Sequence, residues 1–228
     1  TEEKAHAALR DTGTRGTAVA CELSEPASVT AAVMGVLDIG APLRGVICNA
    51  GIMALPRLTQ KHGLELQFLT NHVGHFMLVN GLVPALAAGC RIVVVSSTAH
   101  QMAPASGIEF DNLSGERGYS PWRAYGQSKL ANLLFARALG RRLAGSGRTA
   151  NAVHPGVIAT ELIRHMNPLA RGAWRAVSPL FLKSPQEGAA TQCYVAVHPG
   201  AAAANGTYFA DCNEATPSAL GRDDGLAE

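Results

Sequence analysis

Short apolar runs rich in β-branched residues alternate along the chain with longer segments that repeat their apolar residues at helical spacing. The short runs predict strands at residues 17–22, 43–48, 91–96, 149–154 and 206–210. Strands that alternate with helices are typical of parallel sheets joined by crossover helices. The sequence therefore predicts an α/β fold.

Helices are predicted before and between these strands, at residues 1–10, 26–37, 63–86, 120–145 and from residue 184 onward. Pro26 fits the first turn of the second helix, with Ser24 as its N-cap. The last helix opens with Ser184-Pro-Gln-Glu, which has the elements of a capping box. Apolar residues keep helical spacing through most of residues 63–86, so this segment is predicted as one long helix.

The composition excludes several classes of function. The chain has 228 residues, 47% of them hydrophobic, which suffices for one domain spanning residues 1–228. Its formal charge of +2 is spread without a basic block, so nucleic acid is not an expected partner. No apolar stretch approaches the roughly 18 residues of a membrane span. The five cysteines form no Cys-x-x-Cys pair, which favours reduced, buried residues and a cytoplasmic location.

The residues that end or follow the predicted strands are mostly small or polar. They are Glu22-Leu23, Asn49-Ala50-Gly51, Ser96-Ser97 and His154-Pro155-Gly156. In an open parallel sheet, ligands bind beyond the carboxyl ends of the strands. The sequence therefore predicts a ligand site along one edge of the sheet.

Tyr125 and Lys129 lie four residues apart in the helix predicted after Ser97, which places both on one face about one turn apart. A phenol has a pKa of about 10 and is a poor acid or base at neutral pH. A neighbouring ammonium favours the phenolate and is expected to lower the pKa of Tyr125. Tyr125 would then exchange a proton with a substrate oxygen while Ser97 hydrogen-bonds the same oxygen.

Each candidate also has a plainer interpretation. A Tyr-x-x-x-Lys spacing arises often by chance on helix surfaces, and only its combination with Ser97 and the other strand-end residues favours catalysis. Ser96 competes with Ser97, since neighbouring residues of a strand point to opposite faces. Asn71 fits an exposed polar helix face. His72 and His75 are expected to pack or cap, because no carboxylate or cysteine at ligand spacing completes a metal site.

Taken together, the motifs of this chain resemble the short-chain dehydrogenase/reductase family, in its retinol-dehydrogenase-like branch. The motifs are Asn49-Ala-Gly, Asn71-His-Val-Gly-His-Phe, Arg91-Ile-Val-Val-Val-Ser-Ser-Thr-Ala-His, Tyr125-Gly-Gln-Ser-Lys-Leu-Ala-Asn, Val153-His-Pro-Gly-Val and Gly206-Thr-Tyr-Phe-Ala-Asp. The resemblance implies a Rossmann-like, doubly wound parallel sheet. It implies an NAD(P)-dependent oxidoreductase that acts on a carbonyl or alcohol of a largely apolar small molecule. A rival interpretation is a non-catalytic nucleotide-binding or scaffold protein, or an inactive gene fragment, of the same fold.

The resemblance also implies a role for each site residue. Tyr125 is similar to the general acid/base, Ser97 to the substrate-orienting donor, Lys129 to the ammonium that lowers the Tyr125 pKa and holds the nicotinamide ribose, and Asn71 to the residue completing a water relay. The implied cofactor is NADP or NAD, with NADP favoured. Its implied contacts are Glu22 and Leu23 beside adenine, Asn49, Ala50 and Gly51 beside adenosine, Pro155, Gly156, Val157 and Ile158 beside nicotinamide, and Thr160 at the phosphates or carboxamide.

One departure from the family pattern is the absence of its opening glycine-rich turn, Thr-Gly-x-x-x-Gly-x-Gly, which holds the pyrophosphate. The glycines of residues 12–16 have the wrong spacing and precede a predicted strand. The chain is therefore expected to lack the first strand-helix-strand unit, which leaves residues 17–22 without a neighbour and residues 43–48 as an apolar edge. Taken alone, the chain is expected to bind cofactor poorly.

Residues 168–183 mix Trp174, Leu180 and Phe181 with basic residues. Such a segment fits either an apolar lid over substrate or a surface patch that touches membrane. Its position after the Pro-Gly loop favours a substrate lid around residues 157–183. The family resemblance further implies a homo-oligomer.

Overall fold

The computed structural model describes residues 2–156 and 183–228 of the chain. The strands, in chain order, are β1 (Leu43–Cys48), β2 (Gln60–Lys61), β3 (Leu64–Glu65), β4 (Leu86–Val95), β5 (Thr149–His154), β6 (Tyr208–Ala210) and β7 (Asn213–Glu214). Five of them form one sheet in the order β1-β4-β5-β6-β7, in which the first four are parallel and β7 is antiparallel to β6. The other two, β2 and β3, form a separate antiparallel hairpin.

Helices connect and cover these strands. They are α1 (Glu2–Thr12), α2 (Pro26–Ile39), α3 (Leu66–Phe68), α4 (Gly74–Leu82), α5 (Pro121–Leu143), α6 (Pro185–Val197) and α7 (Asp224–Ala227). A π-helical turn, Leu69–Val73, joins α3 to α4. Short 3₁₀ helices lie at Val83–Ala85, Thr98–Met102, Phe110–Asn112, Pro199–Ala201 and Leu220–Arg222.

Both faces of the sheet carry an apolar core, as expected for a doubly wound α/β fold. Side chains alternate along β4, because successive residues of a strand point to opposite faces. Ile92 and Val94 pack in the cluster that contains the α5 residues, and Val93 and Val95 pack in the cluster that contains Val195 of α6. A strand buried on both faces explains the uninterrupted apolar run in its sequence.

A glycine lets α5 approach the turn that follows β4. A Cβ at Gly126 would lie only 2.7 Å from the carbonyl oxygen of Ala99, in the turn Thr98–Met102. Any larger residue at this position would push the helix away from the sheet. The close approach places Tyr125 and Lys129, which flank the glycine in α5, at the carboxyl end of β4.

The strand predicted at residues 17–22 is wrong, since residues 14–22 form neither helix nor strand. A strand needs a neighbour to accept its backbone hydrogen bonds, and no described strand lies beside this segment. The expectation that residues 43–48 form an edge is confirmed within the described part of the sheet, where β1 pairs with β4 alone. Ile47 of β1 is 47% exposed.

The single helix predicted at residues 63–86 is also wrong. The segment begins in the β2–β3 hairpin, passes through α3, the π-helical turn and α4, and ends in a 3₁₀ helix. In the π-helical turn the Gly74 backbone N–H donates to the Leu69 carbonyl oxygen, five residues earlier, which adds one residue to the turn. Apolar spacing alone does not reveal such an insertion.

Two smaller expectations need correction. Glu25 rather than Ser24 is the N-cap of α2, and the Ser24 hydroxyl donates instead to the Glu22 carboxylate at 2.9 Å. The five cysteines are free, but only Cys48 and Cys90 are buried, and Cys193 is exposed. The capping box predicted at the start of α6 is present. Within residues 2–156 and 183–228, no helix is both long and apolar enough to cross a membrane.

Candidate active site

The two serines at the end of β4 have different environments. Ser96 is 1% exposed, and its hydroxyl donates to the Lys129 carbonyl oxygen at 2.7 Å. Ser97 is half-buried, and its hydroxyl accepts a hydrogen bond from the Ala99 backbone N–H at 3.1 Å. Ser96 thus fastens α5 to β4, whereas Ser97 presents its hydroxyl beside Tyr125. This geometry favours Ser97 as the functional residue.

The Tyr125 phenol lies next to the Ser97 side chain. Burial raises the pKa of Tyr125 above its usual 10.0, and the Ser97 side chain offsets only part of that change. The expectation that the pKa of Tyr125 lies below its usual value is therefore wrong for this structure, in which burial is the dominant cause. The ammonium of Lys129 lies 5.6 Å from the centre of the Tyr125 ring and donates instead to the Val95 carbonyl oxygen at 3.0 Å. The phenol accordingly keeps its proton at neutral pH.

Lys129 is a buried cation at the carboxyl end of β4. It is 4% exposed, and burial lowers the pKa of its ammonium from 10.5 to about 8. The Val95 carbonyl oxygen that it contacts also accepts from the Asn132 side chain at 3.1 Å. An ammonium has three N–H donors, and this is the hydrogen bond that fixes its position against the sheet.

Asn71 is fully buried in the π-helical turn, so the interpretation as an exposed helix residue is wrong. Its side-chain oxygen accepts from the Ile52 backbone N–H at 2.8 Å, and its side-chain nitrogen donates to the Ile52 carbonyl oxygen and the Ser128 hydroxyl, both at 2.9 Å. Its carbonyl oxygen accepts from His75 Nδ1 at 2.9 Å. Asn71 therefore ties the segment after β1 to α4 and α5.

Gly51, Asn71 and Lys129 converge on one point. A Cβ at Gly51 would lie 3.1 Å from the Asn71 side-chain oxygen and 3.6 Å from the Lys129 ammonium nitrogen. The structure thus brings two groups of predicted site residues to the same edge of the sheet. These are the pair Ser97 and Tyr125, and the set Lys129, Asn71 and Gly51.

Known proteins are similar to this chain in sequence and in fold. A family model described as short chain dehydrogenase matches residues 1–169, which include all of these site residues. The chain belongs to the short-chain dehydrogenase family. It is 43% identical over 216 residues to the short-chain dehydrogenase TIC 32 A, chloroplastic, of Brassica napus, covering 91% of this chain and 67% of that protein. It is 41% identical over 208 residues to human retinol dehydrogenase 11, covering 90% of this chain and 64% of that protein.

These relatives place the short-chain dehydrogenase in the retinol-dehydrogenase-like branch, as the sequence motifs indicated. The chain spans about two thirds of the length of the two relatives. TIC 32 A is described as chloroplastic, so the comparison gives no support to the cytoplasmic location predicted for this chain.

Three solved structures share the fold. An uncharacterized protein from Mycobacterium paratuberculosis is 32% identical with a TM-score of 0.77, covering 100% of this chain and 77% of that one. The 3-alpha-hydroxysteroid dehydrogenase of Pseudomonas sp. B-0831, complexed with NADH, is 26% identical with a TM-score of 0.69, covering 92% of this chain and 90% of that one. A blue fluorescent protein from a metagenomic library, complexed with NADPH, is 25% identical with a TM-score of 0.67, covering 99% of this chain and 83% of that one. By family, the chain is a nicotinamide-dependent oxidoreductase.

The residues around Gly51 fit one end of a nicotinamide cofactor. The glycine leaves room that a Cβ would fill, next to an ammonium that can donate to ribose hydroxyls. Asn49 and Ala50, which precede the glycine, are exposed at the same edge, and the Asn49 side-chain oxygen accepts from Gln192 at 3.4 Å. A close backbone approach beside a fixed cation suits the sugar of the cofactor.

The predicted adenine contacts lie in a different setting. Glu22 is exposed, and its carboxylate accepts from both the backbone N–H and the hydroxyl of Ser24. These hydrogen bonds lower the pKa of Glu22. Leu23 is buried against Gly74 of α4. Glu22 and Leu23 therefore belong to the connection between the non-helical segment and α2; the hydrogen bonds of Glu22 are local, whereas Leu23 packs on α4.

The loop after β5 is only partly described. Pro155 and Gly156 are half-buried, and Gly156 has a φ of 89°, a conformation that favours glycine. A Cβ there would lie 2.5 Å from the Lys183 side chain, whose ammonium forms an ion pair with Asp211. The predicted cofactor contacts Val157, Ile158 and Thr160 lie outside the described residues, as does the predicted lid except for Lys183.

Two residues of α5 that the sequence interpretation passed over support the short-chain dehydrogenase site. The Ser128 hydroxyl donates to the Tyr125 carbonyl oxygen at 2.8 Å and accepts from Asn71. Asn132 shares the Val95 carbonyl oxygen with Lys129. Both lie on the Tyr125 face of the helix, three and seven residues further along, and this spacing was the signal that could have found them.

The two histidines of the π-helical turn and α4 pack as expected. His72 lies among the rings of Phe68, Phe76 and Phe135, and His75 donates to the Asn71 carbonyl oxygen. The part of the chain that the structure describes contains no group of three His, Cys, Asp or Glu residues able to hold a metal ion.

Proposed function

We propose that the protein transfers hydride between NAD(P)H and a carbonyl or alcohol of a largely apolar small molecule, with Tyr125 as the proton-transferring residue. The observation that carries the proposal is the half-buried phenol of Tyr125 next to the Ser97 side chain, with the buried Lys129 ammonium 5.6 Å from the centre of its ring. A hydroxyl pair next to a fixed cation is suited to polarising and protonating a substrate oxygen.

The bound cofactor supplies the hydride, and the protein supplies orientation and proton transfer. The Ser97 hydroxyl donates a hydrogen bond to the substrate carbonyl oxygen and holds it beside the Tyr125 hydroxyl. Tyr125 then gives its proton to that oxygen as negative charge develops there. The phenolate that is left is stabilised by the Lys129 ammonium.

The direction of the pKa changes favours carbonyl reduction. Burial keeps Tyr125 protonated at neutral pH, so the phenol is ready to act as an acid. The buried ammonium of Lys129 gains more from a nearby phenolate than a solvated one would, because charges interact more strongly in a low dielectric. The Lys129 ammonium thus stabilises the phenolate that forms when Tyr125 has given up its proton.

The relatives support an apolar substrate and leave two cofactors to compare. Retinol is named in the description of human retinol dehydrogenase 11, and a 3-alpha-hydroxysteroid in that of the Pseudomonas enzyme. We therefore propose a retinoid- or steroid-sized carbonyl compound as substrate, with NADPH favoured over NADH by the branch resemblance. The rival interpretation, a non-catalytic nucleotide-binding protein, has no observation that favours it, because Ser97, Tyr125 and Lys129 are all present and adjacent.

The test is reduction of retinaldehyde, a steroid ketone and a medium-chain aldehyde by the protein, with NADPH and NADH compared. Tyr125→Phe removes the proton donor and keeps the ring, and we expect kcat to fall by roughly 10²- to 10⁴-fold. Tyr194→Phe is the matched control, since Tyr194 lies in α6 and packs with the core on the opposite face of the sheet. A Tyr125→Phe enzyme that turns over at the wild-type rate would overturn the proposal.

A further inference from the structure

His100 lies in the turn that begins directly after Ser97, and both of its ring nitrogens have partners. Its Nδ1 lies 2.6 Å from the Ser97 carbonyl oxygen, and its Nε2 lies 3.0 Å from the Ser218 backbone nitrogen. A carbonyl oxygen only accepts and a backbone N–H only donates. Nδ1 must therefore carry the proton and Nε2 the lone pair, so the ring is neutral and held in one tautomer.

The ring is enclosed as well as hydrogen-bonded. His100 is 1% exposed, and its ring meets that of Tyr208 edge to face with centroids 5.4 Å apart. Tyr208 lies in β6, in the cluster packed against α5. The ring therefore cannot swing away from Ser97 without disturbing the core.

The Ser97 carbonyl oxygen accepts two hydrogen bonds from the same residue, one from the His100 ring and one from its backbone N–H at 3.1 Å. The Ser97 hydroxyl accepts a third bond from the Ala99 N–H. Two of these bonds come from the backbone of the turn and would survive most substitutions. The ring bond is the shortest of the three, and it alone comes from a side chain that also has a partner outside the turn.

Through Nε2 the ring reaches the segment that follows β7. Ser218 N–H donates to His100, and the Ser218 hydroxyl accepts from the Gly221 N–H at 3.2 Å. Gly221 in turn packs closely on Leu133 of α5. The residues after β7 are thus joined to the turn of Ser97 by one side chain.

We propose that His100 is a positioning residue that fixes the Ser97 main chain and couples it to the C-terminal segment at Ser218. The inference rests on the proposed function in one respect, that Ser97 orients the substrate. A residue that only filled space would not need a donor at Nδ1 and an acceptor at Nε2. The two bonds have different consequences: the Nδ1 bond sets the position of Ser97, and the Nε2 bond sets the tautomer and anchors the segment.

Two amide variants separate these bonds. His100→Asn places an amide near the Nδ1 position and keeps a donor for the Ser97 carbonyl, whereas His100→Gln extends to the Nε2 position and keeps an acceptor for Ser218. His100→Phe keeps the ring shape and removes both. We expect kcat to fall by roughly 10- to 100-fold in His100→Phe and His100→Gln and less in His100→Asn, with the cofactor KM little changed.

Tyr208→Phe is the control for disturbance of the cluster. It keeps the ring that packs on His100 and removes a hydroxyl that has no hydrogen-bond partner among the described residues. Its turnover should match that of the wild-type protein. Equal losses in His100→Asn, His100→Gln and His100→Phe would show a packing role only and overturn the proposal.

Two readouts do not depend on turnover. In the wild-type protein, ¹⁵N-detected NMR of the His100 ring should show a protonated Nδ1 and an unprotonated Nε2 at neutral pH. Exchange of the backbone amide at position 100 should stay slow in His100→Asn and quicken in His100→Gln, because only the Gln variant loses the side-chain bond to the Ser97 carbonyl oxygen. A protonated Nε2, or unchanged exchange in both variants, would overturn the proposal even if the enzyme is active. The expected spectra without any carbonyl reduction would instead count against the proposed function alone.

Discussion

The carboxyl end of β4 and the first 48 residues of the chain are held together very differently. At the end of β4, Asn71, Ser128 and Lys129 are at most 4% exposed, and their polar groups bond partners from several elements. In the first 48 residues, α1 buries no residue, residues 14–22 pair with no strand, and Ile47 is 47% exposed. The first region is a buried polar network, whereas the second buries apolar residues of α2, such as Val29 and Ala32, and is largely exposed elsewhere.

The contrast shows that the residues of the candidate site lower the stability of the fold. A buried ammonium and a fully buried amide cost desolvation free energy that only their hydrogen bonds offset. The first 48 residues carry no such cost, because their charged side chains are exposed or half-buried; Glu25, at the start of α2, pairs at the surface with Lys61. Substitution of a buried polar residue at the end of β4 should therefore lower activity and can raise stability. Substitution of an exposed residue among the first 48 should change both little.

The largest effect is expected for Lys129→Met. Removing the ammonium leaves the Tyr125 phenolate without its cation, and we expect kcat to fall by roughly 10²- to 10⁴-fold. The same change removes a buried charge while Asn132 still bonds the Val95 carbonyl oxygen. The free energy of unfolding should therefore rise by roughly 1–3 kcal/mol.

Urea titration and steady-state kinetics measure the two effects separately. Lys61→Met is the matched control, because Lys61 is only half-buried and pairs with Glu25 near the surface. It should change the free energy of unfolding by less than about 1 kcal/mol and leave kcat as it is. A Lys129→Met protein that is less stable than the wild type would contradict the idea that this lysine is held at a cost.

Acid sensitivity is expected to come from histidines around the site. Burial lowers the pKa of His72, His75, His100 and His154, in His72 from 6.5 to about 4. The folded protein therefore binds fewer protons than the unfolded chain once the pH falls below about 6.5. The contribution of His72 to stability is complete above that pH and is lost as the pH falls toward about 4, and the other three histidines act in the same direction.

His72→Phe isolates the largest of these contributions. The ring would still pack among Phe68, Phe76 and Phe135, and the unfolding free energy should lose roughly 1–3 kcal/mol less than in the wild type between pH 6.5 and 4. His6→Phe is the control, since His6 is exposed on α1. The prediction fails if both variants follow the wild-type pH curve.

Sequence patterns predicted what depends on local chemistry. The bounds of β1 and β5 agree with the predicted 43–48 and 149–154, and the capping box of α6 is where Ser-Pro-Gln-Glu placed it. Strand ends and helical spacing predicted that the end of β4 meets Tyr125 and Lys129, whereas the choice of Ser97 over Ser96 came from the family resemblance. Each of these features needs only residues that are close in sequence, or a sheet whose strands run in parallel.

Features that depend on distant partners were missed. The strand predicted at residues 17–22 has the right residues but no described neighbour to pair with. The break at Leu69–Val73 leaves the apolar spacing almost intact while it turns Asn71 into the core. The direction of the Tyr125 pKa depends on burial and on where the Lys129 ammonium points, and neither is written in the i, i+4 spacing.

The smallest effect on stability is expected at the open side of β1. An unpaired edge offers backbone donors and acceptors to another chain, and an edge lysine discourages such pairing. Ile47→Lys should therefore reduce self-association, seen by light scattering at rising concentration, while the free energy of unfolding changes by less than about 0.5 kcal/mol.

The matched control is Ile39→Lys, because Ile39 is 50% exposed at the end of α2 and lies on no strand. The two variants add the same charge and remove the same apolar side chain, so any difference between them reports the strand edge itself. If Ile39→Lys lowers association as far as Ile47→Lys does, then net charge and apolar surface decide the behaviour. In that case the border of the sheet would be no more reactive than the rest of the surface, and the contrast between the two regions would be one of burial alone.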